Sequence, residues 1–184
     1  MNRRTKAVVL AVALLIAVGV SGSAVASGDG DGGVRPREAA ALTGTAKLYR
    51  PAGDDVTFSF DAHLAAKDNM DPHKAHGTFR FSHYDANGAG GWAKVKVDCL
   101  MTGGKVAVVT GVVTDGNTPH RGKRVGVTVH DQGRNDRLGY TWIEEGAVAD
   151  VPRCLGAAPF ETVGKGTGDF TVLPWRPEYA SGQG

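Results

Sequence analysis

The sequence predicts an all-β domain: a single antiparallel β-sandwich or small β-barrel of about seven or eight strands, stapled by one disulfide. Three observations carry this. From Leu42 onward apolar residues recur at every second position, glycine-bearing turns separate the runs, and no stretch of the exported part keeps a helical period for three turns. Period two is the mark of a strand with one buried and one wet face, because successive side chains leave opposite faces of a sheet.

The elements follow in order. Val56, Phe58, Phe60 and Ala62 alternate with Thr57, Ser59 and Asp61, and Phe79, Phe81 and His83 alternate with Thr78, Arg80 and Ser82. Ala93, Val95, Val97, Cys99 and Met101 form a third apolar row, which puts Cys99 on the buried side. Met101-Thr102-Gly103-Gly104-Lys105-Val106 is a tight-hairpin signal, since two glycines accept the positive φ angles of a two-residue turn. Val106 to Val113 is apolar on both faces apart from Thr110, as expected of a central strand covered on both sides. Val125, Val127 and Val129 make the next row, between turns at Asp115-Gly116-Asn117 and Gln132-Gly133-Arg134-Asn135-Asp136.

The first 26 residues have a different character. Met1 to Lys6 is basic, Ala7 to Val20 is an uncharged run of 14 residues, and small residues lead to Ala24-Val25-Ala26. That order is expected of a cleaved signal peptide, the run being short of the roughly 20 residues that span a bilayer. Residues 27–41 are rich in glycine and charge and read as a flexible leader. Residues 42–174 read as the β domain and residues 175–184 as a polar tail. The expected product is secreted, extracellular and free of the membrane.

Without residues 1–26 the chain keeps 158 residues, with 18 basic against 19 acidic side chains. A nearly neutral chain with dispersed charge lacks the footprint of a nucleic-acid or anionic-membrane binder. Its two cysteines, Cys99 and Cys154, are expected to form a disulfide, as an isolated pair in an oxidising compartment does.

The stretches Gly77–His83, Val97-Asp98-Cys99-Leu100, Val109–Val112, Arg124–Val127 and Asp131-Gln132-Gly133 with Asp136-Arg137 together resemble a group of small exported bacterial proteins. Some actinobacterial members of that group are labelled repetin-like. The resemblance covers roughly Thr43 to Thr171 and implies an extracellular β domain, with no functional residues to carry over.

Two constellations could carry chemistry. His63, His73, His76 and His83 lie within 21 residues, with Asp68 and Asp71 among them, and His73-x-x-His76 in a loop could offer two nitrogens to zinc, copper or nickel. His73, His76 and His83 are the candidate metal ligands. The second runs from Asp131 to Glu145. Asp131 is in phase with the apolar residues of its strand and needs a partner there, which Arg134, Arg137 or the N–H groups of the turn could supply. Asp131, Tyr140 and Trp142 are candidate ligand contacts.

No reaction motif is present: there is no Gly-x-Ser-x-Gly, no His-Glu-x-x-His and no P-loop. Glu144 and Glu145 are neighbours, so in a strand they point to opposite faces and cannot flank one bond. The leading expectation is a secreted, non-enzymatic binding or interaction module without a cofactor. Its unknown extracellular ligand or protein partner would sit in the mouth of a barrel or near Trp92, Tyr140 and Trp142. A metal-binding protein and an enzyme of unrecognised type are the alternatives.

Overall fold

Nine strands in one antiparallel sheet make up the computed structural model, which describes residues 37–141 and 151–176. The strands are β1 (Glu38–Lys47), β2 (Asp55–Ala65), β3 (His76–Tyr84), β4 (Gly90–Gly103), β5 (Val106–Gly116), β6 (Arg124–His130), β7 (Arg137–Thr141), β8 (Glu161–Thr162) and β9 (Asp169–Leu173). The order across the sheet is β8-β7-β6-β5-β4-β3-β2-β1-β9, so all but the last strand follow one another as an up-and-down meander. Two 3-10 turns, Ala66–Asp68 and Pro72–Lys74, are the only helical pieces among the described residues. The sheet curls into a half-barrel, a single layer closing on itself rather than two facing sheets. The expected signal peptide and most of the expected leader lie outside the described residues. β1 starts at Glu38, so Glu38–Ala41, read above as leader, are strand. Ala40 and Leu42 are fully buried opposite Leu64 and Ala62, a role that an alanine run does not advertise.

Curvature puts the alternating apolar rows on the inner face. Phe58, Phe60, Phe79, Phe81 and Phe170 form a continuous aromatic core, with Phe58–Phe81 and Phe60–Phe170 centroids 6.0 and 5.3 Å apart. Burying each ring contributes about 2–3 kcal/mol over leaving it in water.

The row predicted along β4 is broken by a bulge. Val97 pairs with Gly111, but Cys99 pairs with Thr110, so Asp98 is the extra residue. Beyond it the faces exchange. Leu100 and Thr102 turn inward, whereas Cys99 and Met101, placed above with Val97, sit on the outer face. Cys99 is nonetheless buried, because the segment after Val151 crosses the outer face and carries Cys154 to it, with the Cα atoms 5.4 Å apart. Asp98 holds the same corner: it accepts hydrogen bonds from Thr110 Oγ1 (2.7 Å) and Arg124 Nε (2.7 Å), and Cys154 N donates to Thr110 Oγ1. The segment runs so close to the sheet that a Cβ on Gly126 or Gly139 would lie 2.0 Å from the carbonyl oxygen of Leu155 or Ala158. β5 is thus covered on both faces at Val109–Gly111, whereas Val106, Val108 and Val112 on its outer row stay half-buried.

The two edges of the half-barrel are tied together. Leu48, after β1, bridges Val163, after β8, and Tyr49 N and Gly164 N donate across the same gap. Among the described residues β9 has no strand on its free side. Its N–H groups go instead to two carboxylates of the β6–β7 turn: Phe170 N donates to Asp136 Oδ2 (2.8 Å) and Val172 N to Asp131 Oδ2 (3.1 Å). A buried backbone donor must find an acceptor, and here side chains stand where a strand's carbonyls would.

Candidate functional site

The β4–β5 hairpin reaches past the start of β3, whose pairing with β4 begins at Thr78 and Lys96. The end of β4 beyond Lys96 therefore has no strand beside it on the β3 side among the described residues, while the start of β5 is paired with both β4 and β6. The β2–β3 connection, with its two 3-10 turns, and Trp175 after β9 pack beside the end of β4 instead. Between these parts lies a groove of about 420 Å³. Its walls are Leu64 and Leu100 from the inner rows, Met101, Val106 and Val108 from the outer row, and Met70, Pro72 and Trp175 from the connections.

None of the lining residues is titratable, and the polar ones are already engaged with each other. Thr102 Oγ1 donates to Leu173 O (3.1 Å) and accepts from Trp175 N (2.6 Å). The Trp175 indole N–H donates to Asn69 O (2.8 Å) and to its side-chain oxygen, and Asn69 Nδ2 donates to Arg176 O. The groove therefore offers contact area and few directed hydrogen bonds. It can shelter an apolar body from water. Met70 is 67 % exposed and Met101 49 %, an unusual outlay of apolar surface at one spot. Thioether side chains are flexible and adapt to ligands of uneven shape.

The site was not legible as such. Trp175 was read as the start of a polar tail, yet it packs on the core, and the bulge at Asp98 that turns Met101 outward leaves no mark on the alternation. The usable signal is Met101 beside the predicted Gly103-Gly104 turn.

The histidines are dispersed. His76 and His83 lie at opposite ends of β3, about 23 Å apart along an extended strand, and cannot share an ion. His83, aligned above with Phe79 and Phe81, is exposed and pairs with Asp54 (2.9 Å). His76 faces His63 across β2–β3, ring centroids 6.0 Å apart. His63 lies 2.7 Å from Glu38 and 2.8 Å from Asp61. His73 sits in the second 3-10 turn, beside the disulfide. Among the described residues the one set of three potential metal ligands with ligand atoms within 4.8 Å of one another is His73, Cys99 and Cys154, whose sulfurs are joined in the disulfide.

His63 makes a testable case. Burial alone would lower its pKa, but the hydrogen bond to Asp61 and the charge of Glu38 outweigh it and hold the imidazole above its ordinary value. A raised folded pKa gives stability fully present below the unfolded value near 6.5, lost as pH rises through the folded value. In Asp61→Asn, an NMR titration is expected to show the His63 pKa falling, and the corresponding slope of unfolding free energy with pH flattening. An unchanged His63 titration would rule the pairing out.

Asp131 and Tyr140 each have partners within the fold. Asp131 needs a partner, as expected, but finds Lys105 Nζ (2.9 Å) rather than Arg134 or Arg137, together with Gly133 N of its own turn and Val172 N. Burial alone would raise its pKa; Lys105 and the two backbone donors win and lower it. The Tyr140 ring packs on Phe58 (5.6 Å), and its hydroxyl accepts from Arg50 Nη2 (3.2 Å). Trp142 lies outside the described residues, as do Glu144 and Glu145. Trp92 lies on the outer face under Arg80, whose guanidinium is 4.9 Å from the ring centroid. No helix among the described residues is long and apolar enough to cross a membrane.

No family model matches the sequence, and neither a curated protein nor a solved structure matches it significantly. The site has to be read from its own chemistry.

Proposed function

We propose that this is an exported, non-catalytic binding module that takes a medium-length aliphatic chain in the groove between the β4–β5 hairpin, the β2–β3 connection and Trp175. The single observation that carries the reading is a cavity of about 420 Å³ lined without one titratable group, its polar atoms spent on each other. Small-molecule sites are typically about 300–1,000 Å³ and mostly apolar, with polar groups only where orientation matters. Two exposed methionines fit a ligand recognised by shape and dispersion rather than by charge. Export is supported by the charged, apolar, small-residue order of residues 1–26 and is compatible with the disulfide.

The test is displacement of a fluorescent anilinonaphthalene probe by dodecanol. Saturable 1:1 displacement is expected, with the affinity at least about tenfold weaker in Met101→Asp, which puts a charge into the groove wall without touching the core. Circular dichroism of the variant should match the wild type. Absence of saturable binding, or equal affinity in Met101→Asp, would overturn the reading.

A further inference from the structure

The disulfide sits in a corner assembled from three elements. Cys99 is pinned in β4 directly after the bulge, and Cys154, half-buried, lies on the crossing segment. Cys154 is the one non-glycine residue with a left-handed backbone among those described (φ 62°), so its position is imposed by its surroundings rather than preferred. The third element is the 3-10 turn Pro72–Lys74. Its proline fixes the first φ, Asp71 caps it by accepting from His73 N (3.1 Å), and a ring nitrogen of His73 comes within 4.8 Å of both sulfurs. The Asp71 carboxylate, 4.0 Å from His73 Nδ1, adds a negative charge beside the imidazole.

We propose that reduction of Cys99–Cys154 converts this corner into a Cys₂His site for a thiophilic divalent cation, zinc by chemical class, with the fourth position open to an exogenous ligand. An external dithiol supplies the two electrons. One of its thiolates attacks Cys154 Sγ, the more accessible sulfur, the S–S bond breaks and Cys99 leaves as a thiolate. The second thiol of the reductant then displaces Cys154 and closes the reductant's own disulfide. Zinc binds the two thiolates and a neutral imidazole, and the thiol protons pass to solvent. Tetrahedral Zn–S bonds of about 2.3 Å place the sulfurs about 3.8 Å apart. The Cα separation of 5.4 Å accommodates this with a small movement of the Cys154 segment. The site is shut in an oxidising medium and opens where a thiol reductant is present. It shares the Pro72–Lys74 turn with the apolar groove but takes none of the groove's lining residues as ligands.

The probe is cobalt, which reports thiolate ligands by a near-ultraviolet charge-transfer band. The protein is reduced with a phosphine, freed of reductant without oxygen, and titrated with Co²⁺, then with Zn²⁺ in competition. The expected result is a 1:1 band in the reduced chain, none in the oxidised chain or in Cys99→Ala/Cys154→Ala, and at least about tenfold weaker binding in His73→Ala. The thermal midpoint of the reduced chain should rise with zinc in the wild type and less in His73→Ala. No band from a reduced chain that keeps its circular dichroism would overturn the proposal. So would equal affinity in wild type and His73→Ala, the result expected if metal binds only a bare or unfolded thiol pair.

Discussion

Asp136→Ala is expected to lower the unfolding free energy by about 2–4 kcal/mol. Asp136 is 1 % exposed, and each carboxylate oxygen has one backbone donor: Oδ1 accepts from Gln132 N (2.7 Å) and Oδ2 from Phe170 N (2.8 Å). Alanine leaves the buried Phe170 N–H without an acceptor, at a cost of about 1–3 kcal/mol, leaves the partly buried Gln132 N–H to water, and frees the edge strand β9. Asp136→Asn should recover part of the loss, because an amide oxygen replaces one acceptor while its NH₂ opposes the other donor. Denaturant unfolding of the three proteins checks the order; a loss below about 1 kcal/mol in Asp136→Ala would show that β9 is not held this way.

The two aspartates of that turn also titrate in opposite senses. Burial, then the carboxylate of Asp169, holds the Asp136 pKa above its ordinary value against the pull of its two N–H donors. Its contribution is therefore greatest below the unfolded value near 3.9 and is lost as pH rises through the folded value. Asp131, lowered by Lys105, Val172 and Gly133 against its burial, contributes above the unfolded value and loses that contribution as pH falls through the folded one. The advantage of the wild type over Asp136→Asn should thus narrow with rising pH, and that over Asp131→Asn should narrow with falling pH.

Cys99→Ala/Cys154→Ala is expected to cost about 4 kcal/mol on the chain-entropy model for a separation of 55 residues. The clasp has a second effect. It holds the crossing segment on the outer face, where Thr110, Arg124 and the glycines of β6 and β7 receive it. Unfolding in urea should show a lower midpoint together with a larger m-value, since the uncrosslinked unfolded chain exposes more surface. Limited proteolysis should begin between Pro152 and Phe160. A loss under about 1 kcal/mol would mean that the segment is held by its backbone contacts alone.

Much of the fold was legible because strands with one wet face write their parity into the sequence. Phe58, Phe60, Phe79, Phe81, Val95, Val97, Val125, Val127 and Val129 all bury where period two puts them. The bulge was not legible. Asp98 breaks parity by insertion, and since Cys99 and Met101 are themselves apolar, the row looks unbroken while the last two side chains have changed face. Closure of the half-barrel was half legible. The need of Asp131 for a partner follows from its phase, but that it would serve β9, 41 residues on, depends on curvature that no local pattern encodes. The groove was illegible for the same reason: its walls come from β2, the β2–β3 connection, the β4–β5 hairpin and residue 175, brought together by the curl of the sheet.

Binding in this groove is tested by the methionine methyl resonances. The sequence has three methionines, and the two beyond Met1 both line the groove. With ¹³C-methyl-methionine labelling and dodecanol as ligand, the Met70 and Met101 signals should move together, saturably, with one apparent Kd, the same value that probe displacement gives. Saturable dodecanol binding that leaves both methyl signals in place would put the ligand elsewhere on the protein and contradict the assignment.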